Sequence, residues 1–410
     1  MLKFLKKILK KNQKSKWKKV PKGSVPLGFW QQLAANKKPF FVLAPMADVT
    51  DRVFRKIIAK YSRFGQEGGG PAVFWTEFVS ADGVMSEGRD ALIVNLAINE
   101  GEHPIVAQIF GTNLEKLEAC ANMCVEMGFD GIDINFGCPE KNIVKSGGGC
   151  GAIQNPEHAV RVVQAVQRGA AGRVPVSVKT RLGFNKEEIE TWVPTLLQTG
   201  PAVLTMHFRT RKEMSKVPAR WDRMLRIREL RDQISPDTVL IGNGDVLTLE
   251  QGREWANKYG AEGVMIGRGI FGNPWFFANS TCTKCMGRIE RPAPKATQIK
   301  NVDEARGNFE NAQEWVNSPE RSESCASKMI PCACGAGYVP TLRHRLEVML
   351  EHTKLYTELL PMKNFNIMKK HYKAYVNGFD GAKELRTKLM ECKTYEEIEV
   401  LTKDFINQLS

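Results

Sequence analysis

Eight short apolar segments of strand length, each followed by a longer connecting stretch, run from residue 39 to about residue 278 of the chain. They read "FFVLAPM" (40–46), "AVFWTEFV" (72–79), "IVAQIF" (105–110), "GIDINF" (131–136), "PVSVKTR" (175–181), "AVLTMHFR" (202–209), "TVLIGNGD" (238–245) and "GVMIGRG" (263–269). Helical patterns separate them, as over 113–128 and 155–170, where Asn155 suits an N-cap and Pro156 a first helical position. Strands that are nearly continuously apolar and alternate with helices belong in a parallel sheet covered on both faces. Eight such units in roughly 240 residues match a closed barrel better than an open doubly wound sheet. No G-x-G-x-x-G turn follows the first strand, which weighs against a dinucleotide-binding fold. The expected class is α/β, a (β/α)8 TIM barrel followed by a small C-terminal helical domain.

Polar residues then fall where a barrel places its chemistry. Met46, Gln108, Asn135 with Cys138, Lys179 with Arg181, His207 with Arg209, Asn243 with Asp245, and Arg268 all lie at the C-terminal ends of strands. Those ends converge on one mouth. The turns "GNGDV" (242–246) and "GRGIFGNP" (267–274) expose backbone N–H groups after the last two strands, the usual phosphate site of such a barrel, and Arg268 adds a charged grip. His207 is the one strand-end histidine, with no second histidine or glutamate nearby, so a metal-dependent hydrolase is poorly supported and any metal in the barrel is unknown. Cys138 sits between Gly137 and Pro139 in a turn that no helix continues through. Its thiol is either a packing group or a reagent.

Charge is unevenly spread. Residues 1–22 carry ten lysines and no acid; without them, 49 basic residues face 45 acidic ones, so the tail supplies most of the net +14. Leu2, Leu5, Ile8 and Leu9 share one helical face, which suits anionic lipid or RNA phosphates, and a solvated tail reads equally well. No run approaches the roughly 18 apolar residues of a membrane helix, so no stable membrane insertion is expected. Ten cysteines in 410 residues are too sparse for a disulfide scaffold. The chain reads as a cytoplasmic monomer with reduced thiols.

The segments "APMADVTDRVFR" (44–55), "INFGCPEKNIVKSGGGCGA" (134–152), "VSVKTRLG" (176–183), "HFRTR" (207–211), "GNGDV" and "IGRG" resemble, in order and spacing, those of the tRNA-dihydrouridine synthases. The resemblance covers about 39–278 and resumes over 341–410. It implies an FMN-binding barrel, a helical domain that holds tRNA, and reduction of specific uridines to 5,6-dihydrouridine with NADPH as reductant. Pro45, Met46 and Ala47 are then expected along the flavin, Gln108 at its pyrimidine edge, Lys179 near N1 and O2, and His207 close to the ring system. Asn243, Gly244, Asp245, Gly267 and Arg268 are expected on the ribityl and phosphate. Cys138 resembles the family's proton donor and Asn135 the group that helps hold the uracil. Arg181, Arg209 and Arg211 are candidates for RNA phosphates, or equally for carboxylate partners. Cys150 reads as packing. Lys369, Lys370, His371 and Lys373 on the helical stretch 368–390 suit the tRNA-holding domain.

One segment departs from the family pattern. Residues 279–340 are polar and aperiodic in the middle, an insertion expected to be largely disordered. Cys282, Cys285, Cys332 and Cys334 have the spacing of a zinc site, with unpaired thiols as the other reading. The domains expected are thus a basic tail (1–38), the barrel (39–278), this insertion, and a helical tRNA-binding domain (341–410). The principal rival is an FMN-dependent barrel dehydrogenase for a small molecule such as dihydroorotate, which would not need a basic helical domain. Which uridine is reduced is not encoded in motif spacing.

Overall fold

Side chains of successive strand residues point to opposite faces of a sheet, and in this chain nearly every strand position is buried, so both faces must be covered. A computed structural model describes residues 28–36, 38–278, 329–331 and 338–409. The strands are β1 (Phe40–Leu43), β2 (Phe74–Trp75), β3 (Ile105–Phe110), β4 (Gly131–Phe136), β5 (Val176–Arg181), β6 (Val203–His207), β7 (Val239–Asn243) and β8 (Gly263–Ile266). Each pairs in parallel with the next, and β8 returns to β1 with Phe40 opposite Gly263. The seam between β1 and β2 is bridged at Val42 and Val73, where Ala72 N–H donates to Phe41 O at 2.8 Å. Val79–Ser80 adds a short second contact along β3. The expected eight-stranded barrel is present.

Strands β3 and β4 have the bounds read from sequence. Several others are shorter, because their polar ends turn out of the sheet. Met46 N–H is taken by Thr50 Oγ1 at 2.9 Å, and Asp245 adopts a left-handed backbone at φ 58°. The helix Pro156–Ala170 begins as expected, with Asn155 Oδ1 accepting from His158 N–H at 3.1 Å.

The two strand faces pack differently. Ile105, Ala107, Ile109, Ile132, Ile134 and Phe136 point outward into the layer of helices. Inward, the lower barrel is filled by Val42, Val106, Val203, Val239, Ile241 and Met265. Helix Phe29–Ala35 closes this floor: Trp30 is 1% exposed and its ring lies 5.5 Å from that of Trp75. The sequence reading placed these residues in the basic tail. Their apolar face is instead a plug for the barrel, a role that no local signal distinguishes from a short amphipathic stretch.

Helices Leu342–Leu359, Met368–Tyr375, Ala382–Glu391 and Tyr395–Asn407 follow. Their core takes in Val53 and Ile57 from helix Arg52–Tyr61, with Trp275. Glu351 accepts from Lys60 Nζ and Tyr61 Oη, and Lys363 pairs with the buried Glu77, whose other oxygen accepts from Asp48 N–H at 2.6 Å. The helical unit is therefore anchored beside the loops after β1 and β2. His371, read as part of a charged face, is buried against Phe54 and His352, while Lys370 and Lys373 remain exposed. Residues 329–331 and 338–340 pair as a two-stranded antiparallel ribbon. The basic segment 1–22 and Cys282, Cys285, Cys332 and Cys334 lie outside the described residues. Among the described residues, no helix is long and apolar enough to cross a membrane.

Candidate active site

A cavity of about 610 Å³ opens at the C-terminal ends of the strands. Pro45, Met46, Gln108, Asn135, Cys138, Lys179, Arg181, His207, Arg209, Asn243, Gly244, Asp245, Gly267 and Arg268 all line it. Ala47 does not; it is exposed beyond the wall. Residues more than 200 positions apart thus meet because parallel strands bring all their C-terminal ends to one side.

Cys138 sits in a turn clamped from three directions. Asn135 Oδ1 accepts from Gly137 N–H at 2.9 Å and from Cys138 N–H at 2.8 Å. Arg181 Nε donates to Gly137 O at 2.8 Å, and Cys150 N–H to Cys138 O at 2.9 Å. Glycine is required beside it: Gly149 has φ 53°, and a Cβ there would stand 2.7 Å from Cys138 O. The thiol itself is half-buried. Burial pushes it up from its ordinary range, against a lowering hydrogen bond from Glu140 N–H, so it holds its proton at neutral pH. Cys150 is fully buried and pushed up to about 12 by burial, which fits a packing thiol.

The adjoining part of the wall is cationic. Lys179 Nζ donates to Asn243 Oδ1 at 3.2 Å, while Asn243 Nδ2 donates to Met265 O at 2.8 Å. Burial first, and then the like charge of Arg181, pull the Lys179 ammonium down to about 8. His207 is held far below its ordinary value by burial and then by Arg181 and Lys179, so its ring is neutral. Arg209 Nη1 donates to His207 Nε2 at 3.1 Å, which leaves the ring proton on Nδ1.

Two expectations for the arginines change with these contacts. Arg209 is 2% exposed and spends its guanidinium on Val217 O, His207 and the Asp245 carboxylate. Arg181 is 7% exposed and bonds to Gly137 O, Thr210 O and Met214 O. Both build the wall; in these contacts neither reaches outward to RNA phosphates. Arg268 is the exposed cation, 2.9 Å from Asp245. Asp245 also accepts from Ala219 N–H at 2.9 Å and shares its single negative charge between the two arginines. A carboxylate repels a phosphate, so Asp245 can orient these cations but is no phosphate ligand itself.

Sequence reading overlooked Phe78 and Ser215, which also line the cavity. It also passed over Asp133, fully buried one turn of the pleat below Asn135. The available signal was a single acid inside an otherwise apolar strand, since Lys, Glu, Arg and Asp are almost never fully buried unless paired. Asp133 is paired: Gln108 Nε2 donates to Oδ2 at 2.6 Å and Ser177 Oγ to Oδ1 at 2.5 Å.

The wall suits a flavin mononucleotide. A neutral imidazole, an ammonium and two amides surround a space bordered by Ala44, Met46 and Met265. At Gly267 a Cβ would stand 3.8 Å from Ala44 Cβ and Met46 Sδ, so glycine keeps the approach to the turn clear.

Comparison with known proteins agrees with this geometry. The model of the dihydrouridine synthase family matches residues 42–314. A probable tRNA-dihydrouridine synthase 2 of Bacillus subtilis (strain 168) is 36% identical over 379 residues, covering 92% of this chain and 96% of that protein. A probable tRNA-dihydrouridine synthase of Staphylococcus aureus (strain Mu50) is 35% identical over 385 residues, covering 93% and 96%. One from Staphylococcus epidermidis (strain RP62A) reaches 44% over 251 residues, 61% of this chain and 73% of that one. A barrel mouth carrying a clamped, protonated thiol beside a cationic wall, together with this likeness along nearly the whole chain, assigns the protein to the dihydrouridine synthase family.

Proposed function

We propose that the chain reduces uridines of tRNA to 5,6-dihydrouridine, with FMN bound in the barrel mouth, NADPH as reductant and Cys138 as proton donor. Reduced flavin supplies the hydride for C6 of the uracil. The observation that carries the reading is the Cys138 turn: a half-buried thiol, kept protonated by burial, on the wall of the cavity. General acid catalysis needs a group that holds a proton until the transition state and sits within reach of the acceptor carbon. Desolvation supports the first condition, and the clamp of Asn135, Arg181 and the Gly149 turn supports the second by holding the thiol in one pose on the cavity wall.

The other roles follow from what each group has left to offer. Asn135 has both backbone contacts on its oxygen and one N–H on Gln108, so its remaining N–H is a donor suited to a uracil carbonyl. Lys179 and Gln108 would face a bound flavin's pyrimidine edge, where a cation would favour the anionic reduced ring. Pro45, Met46 and His207 would border its ring system, and Asn243, Gly244, Gly267 and Arg268 would hold the ribityl and phosphate. Ala47 contributes backbone at most, given its exposure. The exposed Lys370 and Lys373 suit a large polyanion, and uracil stacked in a duplex must be extruded to reach the thiol. The enzyme acts as a cytoplasmic monomer.

Half-reactions test the assignment. Cys138→Ala should keep its flavin and be reduced by NADPH at the normal rate, since neither step uses the thiol. Oxidation of the reduced enzyme by tRNA lacking dihydrouridine should slow by about 100- to 10,000-fold in stopped-flow absorbance. A wild-type rate in that variant would end the proton-donor reading.

A further inference from the structure

Cys138 is reached by a buried hydrogen-bond relay that starts well below it. Asp133 Oδ2 accepts from Gln108 Nε2 at 2.6 Å, Gln108 Oε1 accepts from Asn135 Nδ2 at 2.8 Å, and Asn135 Oδ1 accepts from the Gly137 and Cys138 amides. The relay is built by strand register, which sets Gln108 beside Asp133 and Asp133 beside Ser177. Asp133, Gln108 and Asn135 are 0%, 0% and 6% exposed, so water is a poor substitute for any link.

Two of the three links are side-chain amides, whose oxygen and nitrogen ends are interchangeable in shape. Taken alone, Gln108 and Asn135 could both turn over and keep their mutual bond. The Cys138 turn would then face an NH2 group where it needs an acceptor for two N–H donors. What breaks the symmetry is an end group that only accepts. Ser177 Oγ donates to the other oxygen of Asp133 at 2.5 Å, so the carboxyl meets donors on both sides. We infer that Asp133 is a positioning residue for the proton-transfer step: it fixes the direction of the Gln108 and Asn135 amides and through them the pose of the Cys138 turn. Burial pushes the Asp133 carboxyl up to about 6, against the lowering pull of the Gln108 and Ser177 hydrogen bonds and then of the Lys179 charge, so at neutral pH it is still ionised, which is the form the relay needs.

This inference rests on Cys138 being the proton donor, and a double-mutant cycle separates the two claims. Asp133→Leu removes both acceptors at similar volume; Asp133→Asn presents its one remaining acceptor to Gln108 in only one of its two orientations. Both should keep flavin and reduction by NADPH. Oxidation by tRNA should slow on the order of 100-fold in the Leu variant and about 10-fold in the Asn variant, the scale of a misplaced reacting group. In a Cys138→Ala background the same substitutions should change the residual rate less than about twofold, because the group they position is gone. A second readout needs no flavin: iodoacetamide labelling of Cys138 in the unliganded Asp133→Asn protein, followed by mass spectrometry, should be faster at pH 8. The loosened turn relieves the burial that holds the proton on the thiol, an effect larger than the loss of the Glu140 N–H. Losses that multiply in the Cys138→Ala background, or an Asp133→Asn enzyme with wild-type rate and labelling, would overturn the relay. A Cys138→Ala enzyme at full rate would instead overturn the proton donor itself. If Asp133→Leu does not fold, the Asn variant decides by the same criteria.

Discussion

The lower and upper halves of the barrel interior are built from the same eight strands, yet they obey opposite rules. The floor is Val42, Val106, Val203, Val239, Ile241, Trp75 and Trp30, apolar apart from the Trp75 indole N–H. Further along the strands, above a buried layer that includes Asp133, Ser177 and Thr205, the mouth holds Gln108, Asn135, Lys179, His207 and Asn243. The floor gains stability from burial, and the mouth loses some of it by holding charges and amides out of water. The difference teaches that the site is rigid because of what lies beneath it. Few of its own groups would hold their positions without a packed layer to stand on and a relay such as Asp133–Gln108–Asn135.

Substitutions on the two sides should therefore move stability in opposite directions. The largest effect belongs to the floor. Trp30→Ala opens a void under the barrel and should cost about 3–5 kcal/mol in denaturant unfolding, the usual range for a buried Trp. A loss below about 1 kcal/mol would show that helix Phe29–Ala35 is an ornament and not a plug.

Lys179→Met should do the reverse. The ammonium sits at about 8 in the folded chain against an ordinary 10.5. The folded state thus carries a charge penalty that is fully present below pH 8 and is relieved as pH rises from 8 to 10.5. Replacing Lys179 by Met should raise the stability of the unliganded protein at pH 7, by at most about 3 kcal/mol, and flatten its pH dependence over that window. Flavin affinity should fall roughly 10-fold or more with the lost charged contact. A variant that is less stable than wild type at pH 7 would contradict the comparison.

Arg268→Ala is the smallest change on the stability scale, since the side chain is 62% exposed. Unfolding should stay within about 0.5 kcal/mol of wild type. Binding of free FMN, followed by quenching of its fluorescence, should weaken by about 10-fold, the low end for a charge-assisted hydrogen bond. Unchanged affinity would remove Arg268 from the phosphate site and leave that task to the glycine turns.

Much of this was legible in the chain. Eight apolar segments at barrel spacing, polar groups at their C-terminal ends and glycine turns after the last two describe the architecture and nearly the whole cavity wall, because strand period and chain direction alone place those residues on one side. Ala47 was misplaced, since one residue of loop geometry carries it out of the wall. For Arg209 the sequence left RNA phosphate and a carboxylate partner equally open, and Asp245, on the neighbouring strand end, supplies the carboxylate. His371 looked like one more member of a basic face until helix packing turned it onto Phe54 and His352.

What the sequence by itself determined is the periodic part: strands, helices, their order, and the thiol held between Gly137 and Pro139. What only the tertiary structure decided is partnership across strands. Register sets Gln108 beside Asp133 and Asn135 beside Lys179, and closure brings Asp245 within reach of both Arg209 and Arg268. The physical reason is that periodicity is a local property of the backbone, whereas a buried charge must find its partner through space. That partner is chosen by how neighbouring strands align and not by any spacing along the chain.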